Sequence, residues 1–328
     1  MQTRDFGRTG RTTTPIGFGA WAIGGTWGEV SWDDATATLN AALDAGMTFI
    51  DTADVYGDGR SEQIIAEVLA ARDGPRPFVA TKAGRRLNPH TAEAYTGPAI
   101  ESFIDRSLKN LGVDCLDLVQ LHCPPTPVYA NPAMFEALDA IKAKGKIANY
   151  GVSVETVDEA MTAITHPGVV SVQIIYNLFR MKPADAFFAQ ARAQNVAVIA
   201  RVPLASGLLT GKMTADSTFA ADDHRSFNRN GEAFDKGETF SGVPFDVALE
   251  AVEALRPLIP QGIPMAAFAL RWILMEQAVT VVIPGAKTPA QARANASAAD
   301  LPGLTPEQMQ AARDIYARLI APHVAHLW

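Results

Sequence analysis

Short apolar runs alternate with longer amphipathic stretches along almost the whole chain. The short runs are rich in Val, Ile and Phe, and they predict strands at 15–20, 47–51, 78–82, 117–122, 147–152, 170–175, 196–201 and 279–283. Between them apolar residues recur at helical spacing, predicting helices at 33–45, 61–71, 98–111, 131–144, 155–164, 183–194, 246–257 and 289–297. Strictly alternating units of this kind predict parallel strands joined by right-handed crossovers. Their number favours a closed α/β architecture, a (β/α)8 TIM barrel, over an open doubly wound sheet.

Punctuation residues support the same division. Ser31, Ser61 and Thr288 precede helical runs as candidate N-caps, and Pro132, Pro183 and Pro289 suit a first turn. Two features fall outside the repeat. Residues 207–245 separate the seventh strand from its helix, far more than a βα loop needs, and read as a mobile lid over the barrel mouth. An additional C-terminal helix is expected at about 305–320, followed by a tail that either folds back over the mouth or stays in solvent. No linker or composition shift divides the chain, so residues 1–328 read as a single barrel domain.

Composition narrows the class. The chain has 328 residues, 48% of them hydrophobic and 19% charged, enough for a full core. A net charge of −7 argues against broad nucleic-acid binding. Cys115 and Cys123 form neither a disulfide framework nor a metal or redox pattern, which suits a reducing compartment. The N-terminal residues hold no apolar signal region, and no uninterrupted apolar run reaches the roughly 18 residues of a membrane span. The expectation is a cytoplasmic protein, a monomer or weak homo-oligomer, acting on a small molecule with neither nucleic acid nor membrane as partner.

The chemistry gathers at strand ends. Asp51 follows Met47-Thr48-Phe49-Ile50, Tyr56 lies five residues on, Lys82 ends Phe78-Val79-Ala80-Thr81, and His122 ends Leu118-Val119-Gln120-Leu121. In a parallel barrel these four side chains meet at the rim where such barrels do chemistry. A phenol is a weak acid, a buried lysine stabilises its phenolate, and an aspartate keeps that lysine charged. With a histidine to orient a substrate oxygen, the set makes a proton donor and lacks a nucleophile for acyl transfer. The other histidines show no metal-ligand spacing. Trp21, Trp27, Tyr129 and Phe227 fall in predicted rim loops; Trp27 and Tyr129 are assigned to a substrate pocket.

The stretch Asp51-Thr52-Ala53-Asp54-Val55-Tyr56-Gly57, together with Thr81-Lys82 and Leu121-His122, resembles the aldo-keto reductase family over nearly the full length. The resemblance implies a barrel that reduces an aldehyde or ketone to the alcohol, reversibly. It implies NADP(H) as cofactor, with NAD(H) left open. It further implies that Tyr56 donates the proton, that Lys82 and Asp51 lower its pKa, and that His122 orients the carbonyl. On the cofactor side it implies Ser153 and Gln173 at the carboxamide, and Trp21, Tyr176 and Arg201 near the nicotinamide. Leu204, Ser206, Gly207, Leu208 and Lys212 after strand seven, and Gly285 and Lys287 after strand eight, are implied at the phosphates, with Gln291 and Asn295 at the adenine end. Val154 departs from the family's common Asn. Gln291 stands where many members have Arg, so a 2′-phosphate contact falls to Lys287 and Arg293 instead.

Overall fold

Strands apolar on both faces must lie between two layers, and these do. The structure is a computed structural model that describes residues 1–25 and 30–328. The barrel strands are β1 (Phe18–Gly19), β2 (Phe49–Asp51), β3 (Phe78–Ala83), β4 (Leu118–His122), β5 (Tyr150–Ser153), β6 (Val169–Ile175), β7 (Ala197–Arg201) and β8 (Val279–Val282). They pair in chain order, every ladder parallel. Parallel bridges Ile16↔Val282 and Gly19↔Gly285 join the last strand to the first and close the (β/α)8 barrel.

Around the barrel run α1 (Trp32–Asp44), α2 (Arg60–Ala70), α3 (Gly97–Leu111), α4 (Pro132–Ala143), α5 (Val157–Ala163), α6 (Phe187–Ala193), α7 (Phe245–Leu255), α8 (Met265–Leu274), α9 (Pro289–Ser297) and α10 (Pro306–Ile315). Their ends follow from local chemistry. In α3, Thr96 accepts from the Ala99 N–H, Gly112 at φ 64 stops the helix, and Ile100, Ile104, Ser107 and Leu111 form the buried stripe. Ser31 and Thr288 likewise cap α1 and α9. Ser61 does not cap α2: it lies inside the helix, fully buried, donating to the Ala20 carbonyl and accepting from Thr52.

Two cores result. The larger one lies between strands and helices. The smaller fills the barrel, where inward residues such as Phe49, Ala80, Leu118, Ile199 and Val281 pack together. Its lower end is closed by Phe6, whose ring lies 5.4 Å from Phe49 and 4.9 Å from Phe78. Phe6 is carried by an antiparallel pair, Arg4–Asp5 with Thr12–Thr13, that the hydropathy pattern did not predict. The pattern also missed α8. Met265-Ala-Ala-Phe-Ala-Leu-Arg-Trp-Ile-Leu is apolar at every position but Arg271, and all but Ala266 and Arg271 of it is buried. Among the described residues no helix is long and apolar enough to cross a membrane.

The long segment after β7 crosses the barrel mouth through a turn at Ala205–Thr210 and a short helix at His224–Phe227. After α10 the chain continues through a π-turn, Tyr316–Ile320, and Ala321–Val324. Its end folds back, leaving Trp328 only 7% exposed.

Candidate active site

Side chains alternate in and out along a strand, so residues two apart share a direction. Phe49 and Asp51, Ala80 and Lys82, and Ile199 and Arg201 pair in this way: the first of each sits in the barrel core, the second in the layer above it. Tyr56 opens a short helical turn, Tyr56–Gly59, just past β2. Lys82 Nζ donates to Asp51 Oδ1 at 2.5 Å, to the Thr52 carbonyl at 2.9 Å and to Tyr56 Oη at 3.3 Å. The other carboxylate oxygen of Asp51 accepts from Gln173 Nε2 at 2.7 Å and Gln120 Nε2 at 3.2 Å. The Tyr56 ring stands edge-on to His122 and stacks on Trp21, each with centroids 6.0 Å apart.

Burial by itself would lower the Lys82 pKa, but Asp51 and then Tyr56 outweigh it, and Lys82 titrates above its usual 10.5. Tyr56 moves up from 10, because burial opposes the phenolate more than Lys82 favours it. Asp51 adds to the rise. This corrects the expectation that Lys82 and Asp51 together lower the phenol: Lys82 acts in that direction alone. Burial, then Arg85, Lys82 and Arg201, push His122 well below 6.5, so it is neutral at physiological pH. Its Nδ1 is buried with no hydrogen-bond partner among the described residues.

A second charged group adjoins the first. Arg201 Nη2 donates to Glu155 Oε2 at 2.6 Å and the Val154 carbonyl at 3.0 Å, and Nη1 lies 3.6 Å from Glu238. Arg85 reaches Glu238 at 2.8 Å and Glu155 at 3.6 Å. Burial pushes the Glu155 carboxyl up, whereas the two arginines overcome burial and hold Glu238 below the usual carboxylate range. Cys123, its thiol pKa pushed up by burial, offers its sulfur within 4.8 Å of both carboxylates. Arg85 and Arg201 already engage both acidic side chains, so the trio is first of all part of that hydrogen-bonded cluster.

A cavity of about 660 Å³ opens from this region and runs past the β7 and β8 loops to α9. Asp51, Tyr56 and His122 lie on its wall, with Ser153, Gln173 and Arg201. Further along the wall are Trp21, Leu204, Ser206, Gly207 and Lys212. Gly285, Lys287, Gln291 and Asn295 line the far end. Lys82 stays behind the wall, 1% exposed. The Ser206 hydroxyl is committed to the lid, donating to the Glu238 carbonyl and accepting from the Phe240 N–H.

Three assigned residues are elsewhere. Tyr176, an odd number of positions beyond Gln173, faces outward and stacks on Trp272 at 5.2 Å, packed under α8 and α6. Leu208 is fully buried in the outer core beneath its turn. Tyr129 is fully buried too, its hydroxyl donating to the Ser153 carbonyl at 2.8 Å, so it braces β5 rather than lining a pocket. Trp27 lies outside the described residues. Phe227 is 39% exposed and absent from the cavity wall. Arg293 is exposed and also off the wall, while Arg225, gripped by both oxygens of Asp223, lines it. Gln120, Arg85, Glu238 and Arg225 were missed; Gln120 is an uncharged residue within a strand, the other three are charged residues in loops or the lid, and no local pattern marked any of them.

His224, fully buried in the lid beside Trp21 (4.9 Å), has its pKa lowered to about 4 by burial. A folded-state pKa below the unfolded value means that the unfolded chain binds more protons in between. Its contribution is therefore complete above about 6.5 and is lost as pH falls toward 4. His224→Asn is expected to show a shallower loss of Tm between those pH values than the parent; parallel curves would contradict this.

A model of the aldo/keto reductase family matches residues 15–317. The chain is 32% identical over 301 residues to the aldo-keto reductase YhdN of Bacillus subtilis, covering 90% of this chain and 87% of that one. It is 29% identical to aldo-keto reductase yakc [NADP(+)] of Schizosaccharomyces pombe, covering 85% and 82%. Among solved structures, the glycerol dehydrogenase AKR11B4 of Gluconobacter oxydans superposes with a TM-score of 0.75 at 31% identity, covering 94% and 93%.

Proposed function

The chain belongs to the aldo/keto reductase family, and from that membership we propose that it reduces an aldehyde or ketone to the alcohol with NADP(H), Tyr56 giving the proton. One observation carries the reading: the buried Lys82–Asp51 pair makes its third contact on the Tyr56 hydroxyl. A yeast relative named for NADP(+) and a similar glycerol dehydrogenase support the cofactor and the alcohol–carbonyl chemistry.

The cavity fits a dinucleotide, since it joins Asp51, Tyr56 and His122 to a capped helix N-terminus and three basic residues, Lys212, Arg225 and Lys287, through turns of positive φ at Ser206 and Gly207. Ser153 and Gln173 would hold the carboxamide, with Arg201 and Trp21 beside the nicotinamide. Leu204, Ser206, Gly207 and Lys212 would hold the pyrophosphate, and Gly285, Lys287, Gln291 and Asn295 the adenosine phosphate end. Bound NADPH supplies hydride to the carbonyl carbon.

The protein supplies the proton and the placement. Tyr56, a neutral phenol at physiological pH, carries the proton that the carbonyl oxygen gains on becoming a hydroxyl. As the phenolate forms, Lys82 3.3 Å away balances its charge, and Asp51 keeps Lys82 in place. Neutral His122 offers an imidazole hydrogen bond to the substrate oxygen without competing as the acid. Run backwards, the same groups accept the proton of an alcohol. The test is loss of nicotinamide absorbance with NADPH against a panel of aromatic and aliphatic aldehydes and ketones. No cofactor binding, or binding with no turnover on any of them, would overturn the proposal.

Lys287 is expected to select the phosphorylated cofactor. Burial and the nearby Arg225 guanidinium press its pKa down while Asp223 and Asp222 pull the other way, and an anion arriving there adds a counter-charge that favours the ammonium. Lys287→Ala is expected to weaken NADPH about tenfold, the size of one charge-assisted contact, and NADH hardly at all. Equal losses for both cofactors in a fluorescence titration would refute this.

A further inference from the structure

We propose that Trp328 is a positioning residue for the active site: its indole, seated in a glycine slot of the lid and stacked on Arg180, sets the two carboxylates that hold Arg201 on the cavity wall. The role in turnover rests on the function proposed above; the packing does not.

The indole lies over the Arg180 guanidinium, 3.6 Å from the ring centroid, and its Nε1 donates to Asp235 Oδ1 at 3.1 Å. Gly237 and Gly242 face it. A Cβ on Gly242, which is at φ 76, would overlap the six-membered ring, and one on Gly237 would crowd both the ring and Arg180. Only glycine leaves room at these two lid positions, so the lid backbone is shaped around Trp328.

From this seat two paths lead to Arg201. One runs through the lid. Glu238 follows Gly237 directly, and its carboxylate meets Arg85 at 2.8 Å and Arg201 at 3.6 Å. The other runs through Arg180, which is 2% exposed and donates from Nη2 to the Glu155 carbonyl at 2.9 Å. The Glu155 side chain in turn holds Arg201 at 2.6 Å. Arg201 itself is 7% exposed and lines the cavity, with an Nε that has no hydrogen-bond partner among the described residues. Both of its carboxylate partners therefore depend on backbone that Trp328 braces. An ion pair between buried groups is favourable only at good geometry, so a slackened brace is felt at Arg201 before it is felt in the barrel.

Two variants and two readings test this. In Trp328→Ala the slot empties and the stacking is lost; Trp328→Phe keeps an aromatic face over Arg180 and fills most of the slot. With the alanine variant, KM for NADPH is expected to rise about tenfold while kcat changes little, as for a loss of uniform binding. Tryptic cleavage within the lid, at Arg229 or Lys236, is expected to speed up by a similar factor, with the barrel helices still resistant. The phenylalanine variant is expected to recover most of both. The proposal is overturned if Trp328→Ala keeps parental KM and lid cleavage, if phenylalanine rescues neither, or if helices and lid are cut equally fast, which marks general unfolding. A parent protein that turns over no carbonyl, with a lid that still opens in Trp328→Ala, would sink the functional reading and leave the brace standing.

Discussion

Tyr56→Phe is expected to lower kcat by about 10²–10⁴-fold, the contribution of a positioned general acid, with NADPH binding and stability nearly unchanged. Phenylalanine keeps the ring that stacks on Trp21 and meets His122 edge-on. Only the hydroxyl goes. Lys82 gives up its 3.3 Å contact but retains Asp51 and the Thr52 carbonyl, so no buried charge is stranded. Steady-state turnover beside a cofactor titration checks the claim. Residual kcat within a few fold of the parent would remove Tyr56 as proton donor and point to water or His122 instead.

Lys82→Met is expected to lose both activity and about 3–5 kcal/mol of stability, the cost of breaking a buried ion pair by removing one partner. Methionine fills much the same volume, so the loss is electrostatic. Asp51, 2% exposed, would keep two amide donors from Gln173 and Gln120 but no cation. Adding Asp51→Asn to that variant is expected to restore most of the stability and none of the turnover, because asparagine is neutral and still accepts from the glutamines. Denaturant melts of the parent, the single and the double variant decide it. A double variant no more stable than Lys82→Met would mean that the pair is not the source of the loss. The pH dependence has a definite sign. Lys82 titrates higher in the folded state than its usual 10.5, so its stabilisation is full below that value and fades as pH rises through the folded pKa.

Most of the barrel was legible because its signals are local. A strand of four to six apolar residues, a Thr cap and a Gly stop are each readable within one turn of chain, as at Thr96 and Gly112. Where the local signal is blank, the reading failed. α8 has a single charged residue, Arg271, to set a polar face against its apolar ones, and the Phe6 plug rests on strands of two residues. Tyr176 shows the limit of reading by segment: it follows the strand that carries Gln173 but faces the other way, since one residue of offset reverses a side chain.

The convergence of Asp51, Lys82 and His122 was determined by the sequence itself, because each lies at or next to the C-terminal end of a strand of one parallel barrel and strand periodicity then turns all three inward. Tertiary structure alone decided the rest of the site. Arg85 and Glu238 stand 153 positions apart, and Trp328 lies 93 beyond Asp235; no periodicity connects residues so far apart. It also decided the state of the phenol. Residue type says only that Lys82 favours a phenolate; how much water is excluded from Tyr56 determines whether that charge or burial prevails, and here burial does. Exclusion of water belongs to the packed molecule, and so does the acidity of the Tyr56 phenol.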